Sequence, residues 1–329
     1  MVNEKKVKSI YRKEIALIEK KLKVLLRGRE PESLYLPCTY ILESGGKHLR
    51  PFLVLISAKA VGGEFNKVRN AAIAVEVLHN FTLVHDDIMD NSNKRRGKPT
   101  VHKKYDLSTA ILAGDNLIAI AYENLLKDTG NFNQESISTF TEGIIDVCEG
   151  QSLDKEFENR TDVTLKEYER MIYKKTAALA EICCSIGAQL SGGTRAQIKA
   201  VSNFGKYLGM AFQIQDDLLD ITAEENEFGK TIGSDLLEGK KTFLFLKAFE
   251  KAKGKDKTDL IKVIVRKGID NSQIEKYKNL YIKLGVITDA EREILKYTKL
   301  ALRNLSTLPN QEGRDLMSWL ANNLISRKK

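Results

Sequence analysis

The residues best equipped for chemistry in this chain are aspartates. Residues 76–90 read Glu-Val-Leu-His-Asn-Phe-Thr-Leu-Val-His-Asp-Asp-Ile-Met-Asp, and residues 209–220 read Gly-Met-Ala-Phe-Gln-Ile-Gln-Asp-Asp-Leu-Leu-Asp. Both finish on Asp-Asp-x-x-Asp: Asp86, Asp87 and Asp90 in the first, Asp216, Asp217 and Asp220 in the second. On a helix the first and last aspartates of each set lie four apart on one face, and the middle one sits beside that face, near enough to add to its field. Three carboxylates within about one turn repel one another, and at a helix C-terminus the dipole opposes each by about 0.3–1 kcal/mol. The apolar run before each cluster argues against full solvation as the remedy. A multivalent cation removes the penalty, and carboxylates without convergent cysteine or histidine favour magnesium over zinc. Magnesium is readily shared between protein carboxylates and substrate phosphates. One such cluster could be an ordinary acidic helix end. Two alike, each after an apolar helix, make that reading poor.

Basic elements accompany the carboxylates. The first cluster runs into Arg95-Arg96-Gly97-Lys98-Pro99-Thr100, where guanidinium forks could grip the oxygens of a metal-bound diphosphate. Upstream, Gly45-Gly46-Lys47-His48-Leu49-Arg50-Pro51 precedes the apolar run 52–60. Its glycines allow close backbone approach and its proline suits a first helical turn, so Lys47 and Arg50 flank a helix N-terminus, a natural anion site. After the second cluster come Phe228-Gly229-Lys230-Thr231-Ile232-Gly233-Ser234-Asp235 and Gly239-Lys240-Lys241-Thr242, and between the clusters lie Gln151, Asp154 and Lys174-Lys175-Thr176. The four histidines, His48, His79, His85 and His102, all fall within these elements. A His85–Asp86 pair also fits a His/Asp metal phosphohydrolase, but the second cluster has no histidine, and His85 could equally pack beside the site.

The elements that must position these residues read as helices. The five prolines are Pro31, Pro37, Pro51, Pro99 and Pro309, so none falls between residues 100 and 308, and an interior helix proline costs about 3 kcal/mol. Val7, Ile10, Ile15, Ile18, Leu22 and Leu25 recur at helical steps, and the apolar runs 71–90, 107–126 and 197–221 are too long for strands. Breaks are predicted at 28–37, 62–65, 91–100, 127–134, 159–164, 191–194, 223–241, 253–257 and 268–272. Hairpin signals are scarce and no 20–50-residue repeat is present. The expectation is one all-α domain over 1–329.

Composition sets the outer limits. The chain has 329 residues, 42% hydrophobic and 29% charged, enough for a sizeable core. No apolar stretch reaches the roughly 20 residues needed to span a bilayer, and the N-terminus lacks a signal-peptide core, so a cytoplasmic protein is expected. Cys38, Cys148, Cys183 and Cys184 show no metal spacing and are expected to be buried thiols. Fifty-three Lys and Arg against 44 Asp and Glu give a net charge of +9, which invites nucleic acid or an anionic membrane as partner. The excess sits mainly between Lys5 and Arg29 and between Lys247 and Lys267. No aromatic interleaving or nucleic-acid motif accompanies it, so these read as solvated helix faces, with no nucleic acid bound and no stable membrane insertion.

Taken together, these motifs resemble the trans-prenyl diphosphate synthases of the polyprenyl synthetase family, and among them the geranylgeranyl diphosphate synthases. The two aspartate motifs, the Gly-Gly-Lys-x-x-Arg-Pro element and the Arg-Arg-Gly loop stand in the family's order, and the likeness runs from about residue 35 to 250, with a weaker C-terminal part. Terpene cyclases usually carry a different second metal motif, and head-to-head condensing enzymes lack the Gly-Gly-Lys element. The resemblance implies an isoprenoid synthase-like helical bundle around a central cavity, usually a homodimer, that condenses isopentenyl diphosphate head-to-tail with an allylic diphosphate. It implies three magnesium ions: two on Asp86 and Asp90 and a third on Asp216, with Asp220 nearby and Asp87 and Asp217 in support. Arg95, Lys175 and Lys230 would hold the allylic diphosphate. Lys47, Arg50, His79 and Arg96 would hold isopentenyl diphosphate, and Thr176 and Gln213 would flank the carbocation. His48 stands where many members have Arg. The tail Arg327-Lys328-Lys329 would help close the isopentenyl site. A non-catalytic synthase subunit is the non-enzyme alternative, but such subunits typically lose an aspartate motif. A diphosphate hydrolase or cyclase has no use for the Lys47/Arg50 element.

Product length should be measured along the helix before Asp86. Phe81 lies roughly 7.5 Å down its axis and Thr82 roughly 6 Å, at about 1.5 Å per residue. In the family a bulky aromatic five residues before the first aspartate, with a small residue at four, resembles twenty-carbon producers, so Phe81 with Thr82 implies geranylgeranyl diphosphate. Farnesyl or longer polyprenyl products are the alternatives.

Overall fold

The computed structural model describes residues 4–129, 134–223 and 232–325. It is all-α: among the described residues the only strands are a two-residue ribbon pairing Lys94–Arg95 with Lys98–Pro99. The helices used below are α1 (Glu4–Val24), α2 (Glu32–Leu42), α3 (Leu49–Ala60), α4 (Arg69–Met89), α5 (Val101–Lys104), α6 (Leu107–Thr129), α7 (Gln134–Asn159), α8 (Leu165–Ile172), α9 (Ala178–Leu190) and α10 (Arg195–Thr222). The long apolar runs became α4, α6 and α10, within a few residues of their predicted limits. Two breaks are misplaced: most of 253–257 lies in the helix Gly254–Arg266, and part of 28–37 lies in α2. Pro37 lies inside α2, where Cys38, Ile41 and Leu42 are buried, and that packing outweighs the lost backbone bond.

The chain forms two compact units, the first comprising residues 1–143, 180–205 and 304–320, the second 144–179, 206–303 and 321–329. In the first unit α4 is the central helix. Ala71, Ala72, Ile73, Ala74, Val75, Val77 and Leu78 are buried in succession, as a helix wrapped on all sides requires. Its main neighbours are α6 and α3. The small residue Gly187 lets α9 touch α3: a Cβ there would stand 2.2 Å from the Val54 carbonyl oxygen. Tyr11 of α1 meets Phe52 edge-on and lies against Trp319, which ties both chain ends to α3.

The second unit is cored by Tyr168, Phe243, Leu260, Tyr281 and Val286. Its segment α8 starts on a capping box: Thr164 Oγ1 accepts from the Glu167 amide, and the Glu167 carboxylate accepts from the Thr164 amide. Instead of ending cleanly, α8 passes into α9 through a π-helical turn, Tyr173–Ala177. Of the cysteines, Cys38, Cys183 and Cys184 are buried and Cys148 is exposed. Cys148 departs from expectation because its position on α7 faces outward. No described helix is long and apolar enough to cross a membrane.

Candidate active site

In the first unit the basic elements gather around the N-terminus of α3. His48 caps that helix with a left-handed φ of 45°, so Lys47 and Arg50 flank its first turn as the sequence suggests. The hairpin turn after α4 has positive φ at Arg96 (51°) and Gly97 (77°), the pattern that matches the twist of a two-strand ribbon. That turn lays the Arg96 guanidinium on Gly46, where a Cβ would come within 2.9 Å of Nη2. Arg96 Nη1 also donates to Ser44 Oγ at 3.1 Å. Arg50 Nη1 lies 3.1 Å from His79 Nε2. A guanidinium can only donate, so Nε2 is the acceptor and the imidazole proton sits on Nδ1, 3.5 Å from Thr82 Oγ1.

The electrostatics of this cluster suit an anion. Burial, then the charges of Arg50, Arg96 and Arg95, hold His79 well below the usual imidazole range, so the ring is neutral. Burial also lowers Arg50 and Arg96, yet a guanidinium stays charged at any ordinary pH. One buried carboxylate, Glu76, lies nearby, and its Oε1 is 2.8 Å from His48 Nδ1. Position 48 therefore serves the loop by bonding inward to α4. Sequence reading missed Glu76, although its place three residues before His79 puts it on the same helix face.

The first aspartate cluster ends α4, with Asp90 as its C-cap. The three carboxylates are differently placed. Asp87 has 2% of its side chain exposed and receives Arg95 Nε at 2.9 Å on both oxygens, with Arg95 Nη2 at 2.8 Å from Oδ1. Asp86 has 25% exposed, 3.6 Å from the same Nη2, and Asp90 is exposed. Phe81, one turn earlier, is buried and meets His85 edge-on at 4.9 Å. His85 Nε2 is 3.4 Å from the Ile111 carbonyl oxygen on α6, and Gly114 opposite leaves it room, since a Cβ there would be 2.2 Å away.

The second unit repeats this division of labour. Asp217 is buried and accepts from Tyr168 Oη (2.5 Å), the Phe243 amide (3.0 Å) and Gln213 Nε2 (3.0 Å). Burial raises its pKa to about 6 against the pull of those three donors. Asp220 accepts from Ser234 Oγ at 2.6 Å and from the Asp235 amide. Asp216 is half-buried and has no such donor among the described residues. Thr176 Oγ1 donates to Gln213 Oε1 at 2.8 Å, joining the π-helical turn to α10. Lys175 pairs with Asp154 at 2.6 Å, and Lys174 with Asp146 at 2.5 Å and with Glu149.

The turn holding Lys174, Lys175 and Thr176 is seated on two glycines. A Cβ at Gly150 would be 2.2 Å from the Lys175 amide nitrogen, and one at Gly209 would be 2.5 Å from Ala177 Cα. A π-helical turn is costly alone and often marks a functional position. Neither it nor Tyr168 was legible, although Gly150 beside Gln151 and Asp154 was a usable signal. Of the Gly-Lys-Lys-Thr element, Thr242 caps helix Phe243–Lys251 and Lys241 donates to the Glu158 carbonyl. Lys230 and Arg327-Lys328-Lys329 lie outside the described residues.

The donor set fits magnesium rather than a softer metal, because the groups both motifs offer are carboxylates alone. Among the described residues no three His, Cys, Asp or Glu side chains are already gathered around a metal position. The fit is thus to an ion that completes its shell with water and substrate oxygens, as magnesium commonly does.

A helical fold, two Asp-Asp-x-x-Asp helix ends and a basic cluster at a helix N-terminus define a class. The chain belongs to the polyprenyl synthetase family, whose profile matches residues 31–281. It is 39% identical to the geranylgeranyl pyrophosphate synthase of Geoglobus acetivorans, over 98% of this chain and 99% of that protein. It is 41% identical to the geranylgeranyl diphosphate synthase of Sulfolobus acidocaldarius, over 94% of each. The crystal structure of geranylgeranyl pyrophosphate synthetase from Pyrococcus horikoshii aligns with a TM-score of 0.91 at 36% identity, covering 98% of this chain and 99% of that one.

Proposed function

We propose that the protein is a trans-prenyl diphosphate synthase. It joins isopentenyl diphosphate head-to-tail to an allylic diphosphate (dimethylallyl, geranyl or farnesyl) and yields mainly geranylgeranyl diphosphate. The observation that supports this most is the basic cluster at the N-terminus of α3, Arg50 and Arg96 with Lys47 beside them and neutral His79, which a one-substrate hydrolase or cyclase does not need. In this reading those residues hold and orient isopentenyl diphosphate, and neutral His79 steers the Arg50 guanidinium by accepting from it. Arg95, Lys175 and Lys230 grip the allylic diphosphate. The Thr176 hydroxyl and Gln213 amide, bonded to each other, turn oxygen dipoles to the developing cation. Asp86 and Asp90 would hold two magnesium ions and Asp216 a third, with Asp220 nearby, while Asp87 and Asp217 anchor their helix ends. When bound, magnesium neutralises the charge that develops on the leaving diphosphate. The protein would act in the cytoplasm as a homodimer, for which the exposed apolar side chains Leu107, Ile111, Leu112 and Leu126 of α6 offer a surface.

Incubation with magnesium, isopentenyl diphosphate and each allylic starter, followed by sizing of the products, tests the assignment. Twenty-carbon diphosphate is expected. Hydrolysis or cyclisation without elongation would sink it, and no turnover with any starter would point to a non-catalytic subunit. The ruler has its own test. Phe81→Ala should lengthen the products, and Thr82→Phe should shift them to fifteen carbons. An unchanged length profile in both would move the chain-length floor to other helices.

A further inference from the structure

The charge of this chain is unevenly spread. Between Lys5 and Arg29 there are ten Lys and Arg against two Glu, a surplus of eight in a chain whose total is +9. The remaining sequence is almost neutral in sum, because acids elsewhere offset the second basic cluster between Lys247 and Lys267. The structure sharpens the asymmetry at Glu14, which α1 turns inward, while Glu4 stays exposed and Glu19 keeps 44% of its side chain exposed. Glu14 is buried and accepts from Arg69 at 2.8 Å, and Glu19 lies 3.6 Å from buried His48. Four of the cations are also taken up: Lys6 by Glu312, Lys8 by Glu4, Lys21 by Asn70 and Arg29 by Glu123. Lys5, Arg12, Lys13, Lys20 and Lys23 remain exposed, with no acidic side chain within ion-pair distance among the described residues. At about 100° per residue they span an arc of roughly 100°, opposite buried Val7, Ile18 and Leu22. Exposed Arg27 continues the stripe and exposed Val24 adds an apolar contact at its end.

We infer that this face of α1 docks the protein on anionic lipid bilayers. A flat cationic stripe backed by a near-neutral body complements a negatively charged plane and sets one orientation on it. The stripe offers nothing to read a nucleic acid with. The one aromatic of α1, Tyr11, is turned onto Phe52 and Trp319, leaving no ring to stack on a base. Docking is electrostatic and peripheral, and no described helix is long and apolar enough to span the bilayer. It rests on charge placement alone and holds whatever the product length.

The test uses the full chain and two kinds of vesicle, phosphatidylcholine alone and phosphatidylcholine with phosphatidylglycerol at about one-third of the lipid, in co-sedimentation. Binding is expected only to the anionic vesicles, and it should be lost when salt shortens the Debye length from about 10 Å to a few ångströms. The triple variant R12Q/K20Q/K23Q should bind about 150-fold more weakly, taking each cation as worth roughly 1 kcal/mol at the surface. It should keep its helical circular dichroism. K253Q/K255Q/K299Q, which removes three exposed lysines elsewhere, should bind as the parent does. Absence of binding to anionic vesicles at low salt overturns the inference. So does an equal loss in both triple variants. Tighter binding to a short DNA duplex than to the vesicles at the same salt would reassign the surface to nucleic acid.

Discussion

Asp86→Asn is expected to lower kcat about a thousand-fold while leaving the thermal midpoint within a few degrees of the parent, the scale of losing one preorganised charge-stabilising group together with part of a metal's effect. The reason lies in how the first cluster is divided. Asp87 is buried against Arg95, whereas Asp86 is a quarter exposed and Asp90 is exposed at the end of α4. The amide of Asn is isosteric but carries no charge, so it cannot hold magnesium against water. Steady-state turnover at saturating magnesium and both diphosphates reads the first quantity, and a melt reads the second. Asp87→Asn should give the opposite pattern. It breaks the bidentate pair with a mostly buried guanidinium, so stability falls by about 1–3 kcal/mol and activity follows the folded fraction. If Asp86→Asn kept its activity within ten-fold, Asp86 would not be the metal ligand proposed.

Asp217→Ala should destabilise the protein by about 3 kcal/mol, because it strands two buried donors at roughly 1–3 kcal/mol each. Those donors are the Tyr168 hydroxyl and the Phe243 amide. The substitution also frees Gln213, whose other end holds Thr176. Tyr168→Phe, which removes one donor and keeps the packing, should cost less than half as much. Urea unfolding of the three proteins measures the order. The pH dependence carries a second signature. The folded pKa of Asp217, about 6, stands above its ordinary 3.8, so the native state holds this proton more tightly than the unfolded chain. That contribution to stability is complete below about pH 4 and is lost as pH rises to about 6. Asp217→Ala should remove that slope; an unchanged slope would show that another group produces it.

These two results would separate residues that the sequence presents as equals. Asp-Asp-x-x-Asp occurs twice, and helical spacing alone shows that its outer aspartates share a face. That spacing, with the apolar runs before it and the glycines and arginines around it, was enough to read an all-α chain with two carboxylate helix ends and a diphosphate-sized cation cluster. Such features are local: period, proline placement and residue type within a dozen positions determine them.

Other features are set by what approaches from far along the chain. Whether an aspartate is open or bonded depends on Arg95 folding back through a turn, and on Tyr168 and Phe243 arriving from other helices. The neutral state of His79 needs three arginines brought around a buried ring. The π-helical turn under Lys175 exists because Gly150 and Gly209 let neighbouring helices touch its backbone. The net charge of +9 was visible from the start. That its outward part forms one stripe followed only when Glu14 found Arg69 and Glu19 came to lie beside His48. Sequence spacing determines which groups share a helix face, whereas burial and partner choice, which set charge and reactivity, are long-range properties that only the packed chain decides.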